Sequence, residues 1–304
     1  MKQTVQTRYC KTSTYTYSGA YQQYLKSLPD DIPALGRLVC DQITHPTMYY
    51  LPPSAYLEET YFGKFDTYSS HRFKDEDELF VTAAAMLAEL FRLDERGLVS
   101  GKHVNQRLTV SCRHASVLFS AILKAKGIPC RSRAGFMDFG NDGTVYTEHW
   151  INEYWKETEQ RWILVDADGY YEYENRYGYS QFDLPKRKFL SAADAWLSYR
   201  QNTLSKFTLD IIAPTLASGI CAYLFMDFHA LMNQEIFYSH QPEFLRNGLQ
   251  NLSADAWDTI DALAVLMQHP DENIEAIEHL YLHHKPFYTL TNPTQNELAD
   301  AMKG

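Results

Sequence analysis

Three side chains able to do nucleophilic and acid–base chemistry stand in a workable order along one stretch of the sequence: Cys112, His149 and Asp166. A thiol attacks as its thiolate, and a histidine takes and returns a proton near neutral pH. An aspartate beside that histidine fixes the imidazole tautomer and supports its positive charge. Such a set works on carbonyl carbons, at amides or thioesters, through an acyl group held on sulfur. Each residue also has a plainer reading. A free cysteine is usually a small buried hydrophobe, and a histidine near an aspartate is an ordinary polar contact at a sheet end.

The elements that must position these residues are legible around them. Ser111 is a good N-cap, and Ala115, Leu118, Phe119, Ile122 and Leu123 recur at the spacing of one buried helical face. Gly127 falls at the C′ position, and Pro129 prevents the helix from resuming. Cys112 therefore occupies a first helical turn, where the positive dipole end favours a thiolate. Downstream, Thr147 to Trp155 is aromatic and β-branched, Lys156 to Gln160 is polar, and Arg161 to Asp166 is a second apolar run. That pattern reads as a β-hairpin. A turn centred between Glu157 and Thr158 opposes residues whose numbers sum to 315, so Trp155 faces Gln160, Ile151 faces Leu164 and His149 faces Asp166. Asp168 points the same way as Asp166, and a shifted register makes it the alternative orienter.

Neighbouring residues complete the candidate site. Asn105 and Gln106, in the segment 101–110 before the cysteine helix, are candidate donors to a developing oxyanion beside the backbone N–H of Cys112. Trp150, next to the base, is a candidate wall of the acyl pocket. Helical geometry turns Arg113 and His114 away from Cys112, so they are read as exposed or structural. Cys130 is read as a packed residue.

The segments Ser111-Cys112-Arg113-His114-Ala115, Lys126-Gly127-Ile128-Pro129-Cys130-Arg131, Glu148-His149-Trp150-Ile151-Asn152-Glu153-Tyr154-Trp155 and Arg161-Trp162-Ile163-Leu164-Val165-Asp166 resemble the transglutaminase-like superfamily. More closely, they are similar to stand-alone bacterial proteins of about this length that carry that domain. The strong resemblance covers residues 76–170, and a weaker one extends through 189–196 and 227–235. It implies an α+β fold with a papain/transglutaminase-like core, in which a helix bearing Cys112 packs on an antiparallel sheet bearing His149 and Asp166. The implied roles are nucleophile, base and orienter. A helix expected over 75–96, with apolar Leu79, Ala83, Met86, Leu87, Leu90 and Phe91, is implied to pack against the cysteine helix.

The rest of the chain sorts into an N-terminal segment, 1–74, a catalytic core, 75–185, and a helical extension, 186–304. Residues 1–20 read as an edge strand or a mobile arm, and 20–40 as helix broken near Asp30-Asp31. Residues 49–68 read as an aromatic loop fit for a cleft wall or equally for core filling, and 169–179 as a tyrosine-rich loop long enough to lie over a cleft. Helices are expected near 207–225, 228–238, 253–268 and 271–283, without further strands, and the last dozen residues are expected to fray. Glu275, His279 and His283 share one helix face, read as a solvated polar face rather than a metal site. Asp227, Asn233 and Glu235 suggest a buried polar network or a substrate contact.

With 28 basic against 38 acidic residues the net charge is −10, which argues against nucleic acid or an anionic membrane as partner. Five cysteines without a C-x-x-C pair, and an N-terminus without an apolar signal core, point to a reducing, cytoplasmic setting. No Gly-rich phosphate loop is found, and no cofactor or metal is expected. The expected function is a thiol enzyme moving an acyl group from an amide or thioester on a peptide, a small molecule or a carrier. The acceptor is water, as in a peptidase or amidase, or an amine, as in a transglutaminase-like acyltransferase. The alternative is a non-catalytic binding module whose helical half engages a protein partner.

Overall fold

The computed structural model describes residues 5–46, 70–168, 178–204, 208–211 and 213–290. The aromatic loop 49–68, most of the tyrosine-rich loop and the final dozen residues lie outside them. The fold is α+β. Five strands form one sheet: β1 (Cys130–Met137), β2 (Val145–Lys156), β3 (Arg161–Val165), β4 (Phe189–Ser191) and β5 (Thr208–Asp210), in the order β3-β2-β1-β4 with β5 also on β2. β2 pairs antiparallel with β3, and β1 with β4, whereas β5 runs parallel to β2. The sheet is therefore mixed, and two three-residue strands lie where only helices were expected. The chain divides into two compact units, Met1–Ser132 with Trp150–Lys186, and Arg133–His149 with Arg187–Gly304.

In the first unit the helices are α1 (Val5–Arg8), α2 (Gln22–Ser27), α3 (Ile32–Cys40), α4 (Ser70–Leu79), α5 (Ala83–Leu93) and α6 (Cys112–Ala125). The break expected near Asp30-Asp31 is present, with Asp31 capping α3 by accepting the Ala34 N–H at 2.8 Å. Helix α6 is buried along its whole length and packed by α2, α3 and α5. Leu118, Phe119 and Ile122 join Leu35, Val39, Met86 and Leu90 in one core. Each fully buried side chain of this size stabilises the fold by about 1.5–3 kcal/mol. Gly127, at φ 77°, closes the helix. Its N–H donates to Lys124 O at 3.0 Å, and that of Ile128 donates to Leu123 O at 2.9 Å.

Two expectations for this unit are corrected. The helix expected over 75–96 is two helices, because Thr82 leaves helical geometry (φ −118°, ψ 152°) and accepts the Ala85 N–H to start α5. β-Branched Val81 and Thr82 are poor helix-interior residues, and the carbonyl of Val81 is satisfied by buried Arg113 at 3.2 Å. The N-terminal segment is neither edge strand nor mobile arm over its described part. Tyr9 is fully buried, and its carbonyl accepts the Cys130 N–H at 3.1 Å.

The hairpin forms where expected, but its register differs. Trp155 faces Trp162, Glu153 faces Leu164 and Asn152 faces Val165, so opposed numbers sum to 317 rather than 315. The expected register leaves a two-residue loop, Glu157-Thr158, and such loops need left-handed backbone that glutamate and β-branched threonine resist. The chain instead makes a four-residue loop, 157–160, with its one left-handed residue at Gln160 (φ 50°). A two-residue change preserves parity, so the faces assigned to the paired residues are kept. By arithmetic alone, 168 is the number that would oppose 149 if the pairing ran on. The ladder ends first, however, and the Asp166 N–H donates to Gln181 O at 2.9 Å.

The second unit holds α7 (Ala192–Arg200), α8 (Leu216–Leu231), α9 (Ala254–Met267), α10 (Ile274–His283) and α11 (Lys285–Tyr288). Segment 133–149, placed by sequence in the catalytic core, belongs here. One helix, 216–231, replaces the two expected over 207–238. Thr215 caps it just after Pro214, and it ends before Asn233, at φ 57°. Of the polar residues of this stretch, Asp227 sits in a buried ion pair. Asp227 takes two bonds from the Arg133 guanidinium at 2.8 and 2.9 Å and one from the Ala134 N–H at 3.0 Å. Among the described residues no helix is long and apolar enough to cross a membrane.

Candidate active site

Cys112 is the first residue of α6 and is 5% exposed. Ser111 precedes it in extended geometry, but its hydroxyl does not cap the helix. It lies 3.1 Å from His114 Nδ1, while the Ser111 N–H donates to Asp77 Oδ1 at 2.7 Å. His114 Nε2 meets the Asp77 carbonyl at 2.9 Å. A carbonyl can only accept, so Nε2 carries the proton and Nδ1 accepts from Ser111. Burial pushes His114 down to about 4, outweighing the pull of the Asp77 carboxylate, so the ring is neutral near pH 7. Arg113 and His114 are both fully buried, hence structural. The sequence offered no sign of Asp77's part, since it lies 35 residues upstream on a separate helix.

Three of the other thiols are held protonated by their surroundings. Burial raises the pKa of Cys10, Cys40 and Cys221, and for Cys40 the charges of Asp166, Asp168 and Asp41 raise it further. Cys130 is fully buried, 3.4 Å from Ser120 Oγ, in keeping with a packing role.

Asp166 and Asp168 end the hairpin and are 1% and 4% exposed. Asp166 Oδ1 accepts the Asp168 N–H at 3.0 Å, and Asp166 O accepts from Gln181 Nε2 at 3.0 Å. The Cys40 thiol meets Ala167 O at 3.5 Å, and His45 Nε2 lies 3.9 Å from Asp168 Oδ2. Cys40, His45 and Gln181 were not anticipated, because they come from distant, non-periodic segments.

His149 is 3% exposed on β2, its ring edge-on to Phe139 with centroids 5.0 Å apart. Trp150 is 1% exposed, and Asn152 donates to Ser116 O and Ser120 Oγ of α6, both at 3.0 Å. Of the two oxyanion candidates, Gln106 is engaged on its own turn. Gln106 Oε1 accepts the His103 N–H at 3.2 Å and its Nε2 lies 3.4 Å from Asp94 Oδ2, so its amide caps a short turn. Asn105 is exposed on that turn. The rings of His279 and His283 lie 4.5 Å apart on an exposed face of α10 with Glu275. Among the described residues no three metal-ligating side chains gather.

Residues 98–167 match the model of the transglutaminase-like superfamily, the segment that runs from before the cysteine helix to the end of the hairpin. This stretch is similar to a transglutaminase-like core. At the level of the superfamily, that core stands for cysteine-dependent chemistry. No curated protein matches the chain. A solved structure from Cytophaga hutchinsonii, of a candidate cysteine protease, is similar at 14% identity with a TM-score of 0.32. The likeness covers 62% of this chain and 47% of that one, so the matched region spans about half of that protein. So loose a likeness carries no activity across. The matched span, 98–167, includes Cys112, His149 and Asp166.

Proposed function

We propose that the protein is a thiol acyl-transfer enzyme whose nucleophile is Cys112, whose base is His149 and whose orienting carboxylate is Asp166. His149 takes the Cys112 proton, and the thiolate adds to the carbonyl carbon of an amide or thioester. The tetrahedral oxyanion collapses, the bond to the amine or thiol breaks, and His149 returns the proton to that leaving group. The acyl group now on sulfur passes to water or to an amine, with His149 taking the acceptor's proton and the Cys112 thiolate leaving. Asp166 holds the imidazole with its proton on the nitrogen facing the carboxylate.

The observation that carries this reading is the placement of Cys112 as the first residue of a buried fourteen-residue helix inside the transglutaminase-like match. Its dipole end favours the thiolate. Asp166 fits the orienter's part because Asp168 already has another imidazole, His45, beside it. The test is acyl trapping. Full-length protein incubated with a simple thioester and then with a metabolite extract should gain an acyl mass that maps to Cys112. His149→Ala should abolish the gain. An acyl mass mapping to another residue, or one that persists in His149→Ala at the wild-type rate, contradicts the assignment.

A further inference from the structure

The turn that carries Asp166 is held from several directions. Gln181 exchanges two backbone-directed bonds with Asp166, donating from Nε2 to its carbonyl at 3.0 Å and accepting its N–H at 2.9 Å. The Asp166 carboxylate reaches forward to the Asp168 N–H at 3.0 Å. Asp168, 4% exposed, places Oδ2 3.9 Å from His45 Nε2. Two carboxylates buried two residues apart disfavour each other's ionised form, and a cation beside one of them relieves that repulsion.

His45 is itself anchored. The Thr44 N–H donates to Leu108 O at 2.7 Å and the Leu108 N–H donates to Gln42 O at 2.8 Å, tying the segment to the strand-like approach to Ser111. His45 is thus fixed near the aspartate turn. The triad reading leaves it without a task.

We propose that His45 is a positioning residue for the Asp166 carboxylate, acting through the contact its imidazole makes with the Asp168 carboxylate. With His45 in place, Asp168 is drawn to its own imidazole, its N–H keeps Asp166 Oδ1 in a fixed orientation, and Asp166 is the carboxylate left to serve His149. Without His45 the two carboxylates compete and the turn loosens. This inference rests on the triad reading given above.

The test measures the rate of Cys112 alkylation by iodoacetamide, with urea midpoints alongside, in full-length wild type, His45→Ala, His45→Gln, Asp168→Asn, the His45→Ala/Asp168→Asn double variant and His149→Ala. Residues in contact couple by an amount that makes a change of about tenfold the expected size for His45→Ala and for Asp168→Asn. The double variant should be no slower than either single one. His45→Gln, which keeps an N–H donor near the Asp168 carboxylate, should recover most of the rate. A purely structural role lowers the urea midpoint instead and gains nothing from glutamine. Additive losses in the double variant, or a wild-type rate in His45→Ala, overturn the proposal while leaving the triad standing. A wild-type rate in His149→Ala overturns the triad reading itself, and this inference with it.

Discussion

At the scale of single residues, the chemistry is concentrated in a few buried groups whose neighbours decide their charge. Asp166 and Asp168 differ less in burial than in company, one bonded to backbone and the other beside His45. Asp166→Asn should therefore slow Cys112 alkylation by orders of magnitude, toward the about 10⁴-fold loss seen when a well-studied triad loses its aspartate. Asp168→Asn should cost far less. Rates measured on the two purified variants decide it, and the reverse order would hand the orienter's role to Asp168. His114 and His229 supply a pH signature. Burial pushes both down to about 4, against an ordinary value of about 6.5, so each is neutral in the fold and binds protons more readily once unfolded. Their contribution is complete above about pH 6.5 and is lost as pH falls toward 4, about 2 kcal/mol each by pH 5. Urea midpoints should fall accordingly between pH 7 and pH 5. His229→Gln, which keeps a donor for the Phe287 carbonyl that Nε2 meets at 2.9 Å, should flatten that slope by about half.

Elements differ in how well the sequence announces them. The cysteine helix was legible from end to end, because Ser111, the apolar face and Gly127 each carry an independent signal. The hairpin's existence and strand limits were legible from β-branched and aromatic runs, but its register depended on loop geometry. Only the refusal of Glu157 and Thr158 to adopt left-handed backbone fixes the four-residue loop, and counting alone misses it. The split of the helix expected over 75–96 is similar, since Thr82 reads equally as a tolerated interior residue and as a cap. Thr82→Ala should cost about 1 kcal/mol of stability through the lost bond to the Ala85 N–H, whereas Thr82→Ser should cost little. Denaturant midpoints of the two variants check this. A cost for Ser as large as that for Ala would mean that the methyl group, and not the cap, matters. The residues around Asp166 were illegible for another reason: His45, Cys40 and Gln181 meet there through long-range packing that leaves no local pattern.

At the scale of the whole molecule, the two compact units interleave along the chain, because β1 and β2 each begin in one and end in the other. The second unit owns residues 133–149, among them Arg133, whose guanidinium neutralises Asp227 buried in α8. A fragment starting at 186 lacks that partner and exposes wide apolar helix faces, and breaking a buried pair typically costs about 3–5 kcal/mol. Residues 186–290 expressed alone should therefore fail to unfold cooperatively in calorimetry, and a sharp transition from a monomer would contradict this. The net charge of −10 remains an argument about what the surface attracts, not about the acyl donor. The central claim, that Cys112 is a thiol activated for acyl transfer, is met most directly by limited iodoacetamide labelling near neutral pH with every cysteine mapped by mass spectrometry. The account predicts that Cys112 is modified first and fast, that Cys10, Cys40, Cys130 and Cys221 lag well behind, and that His149→Ala removes the difference. Rapid labelling at any of those four with Cys112 unmodified would contradict it.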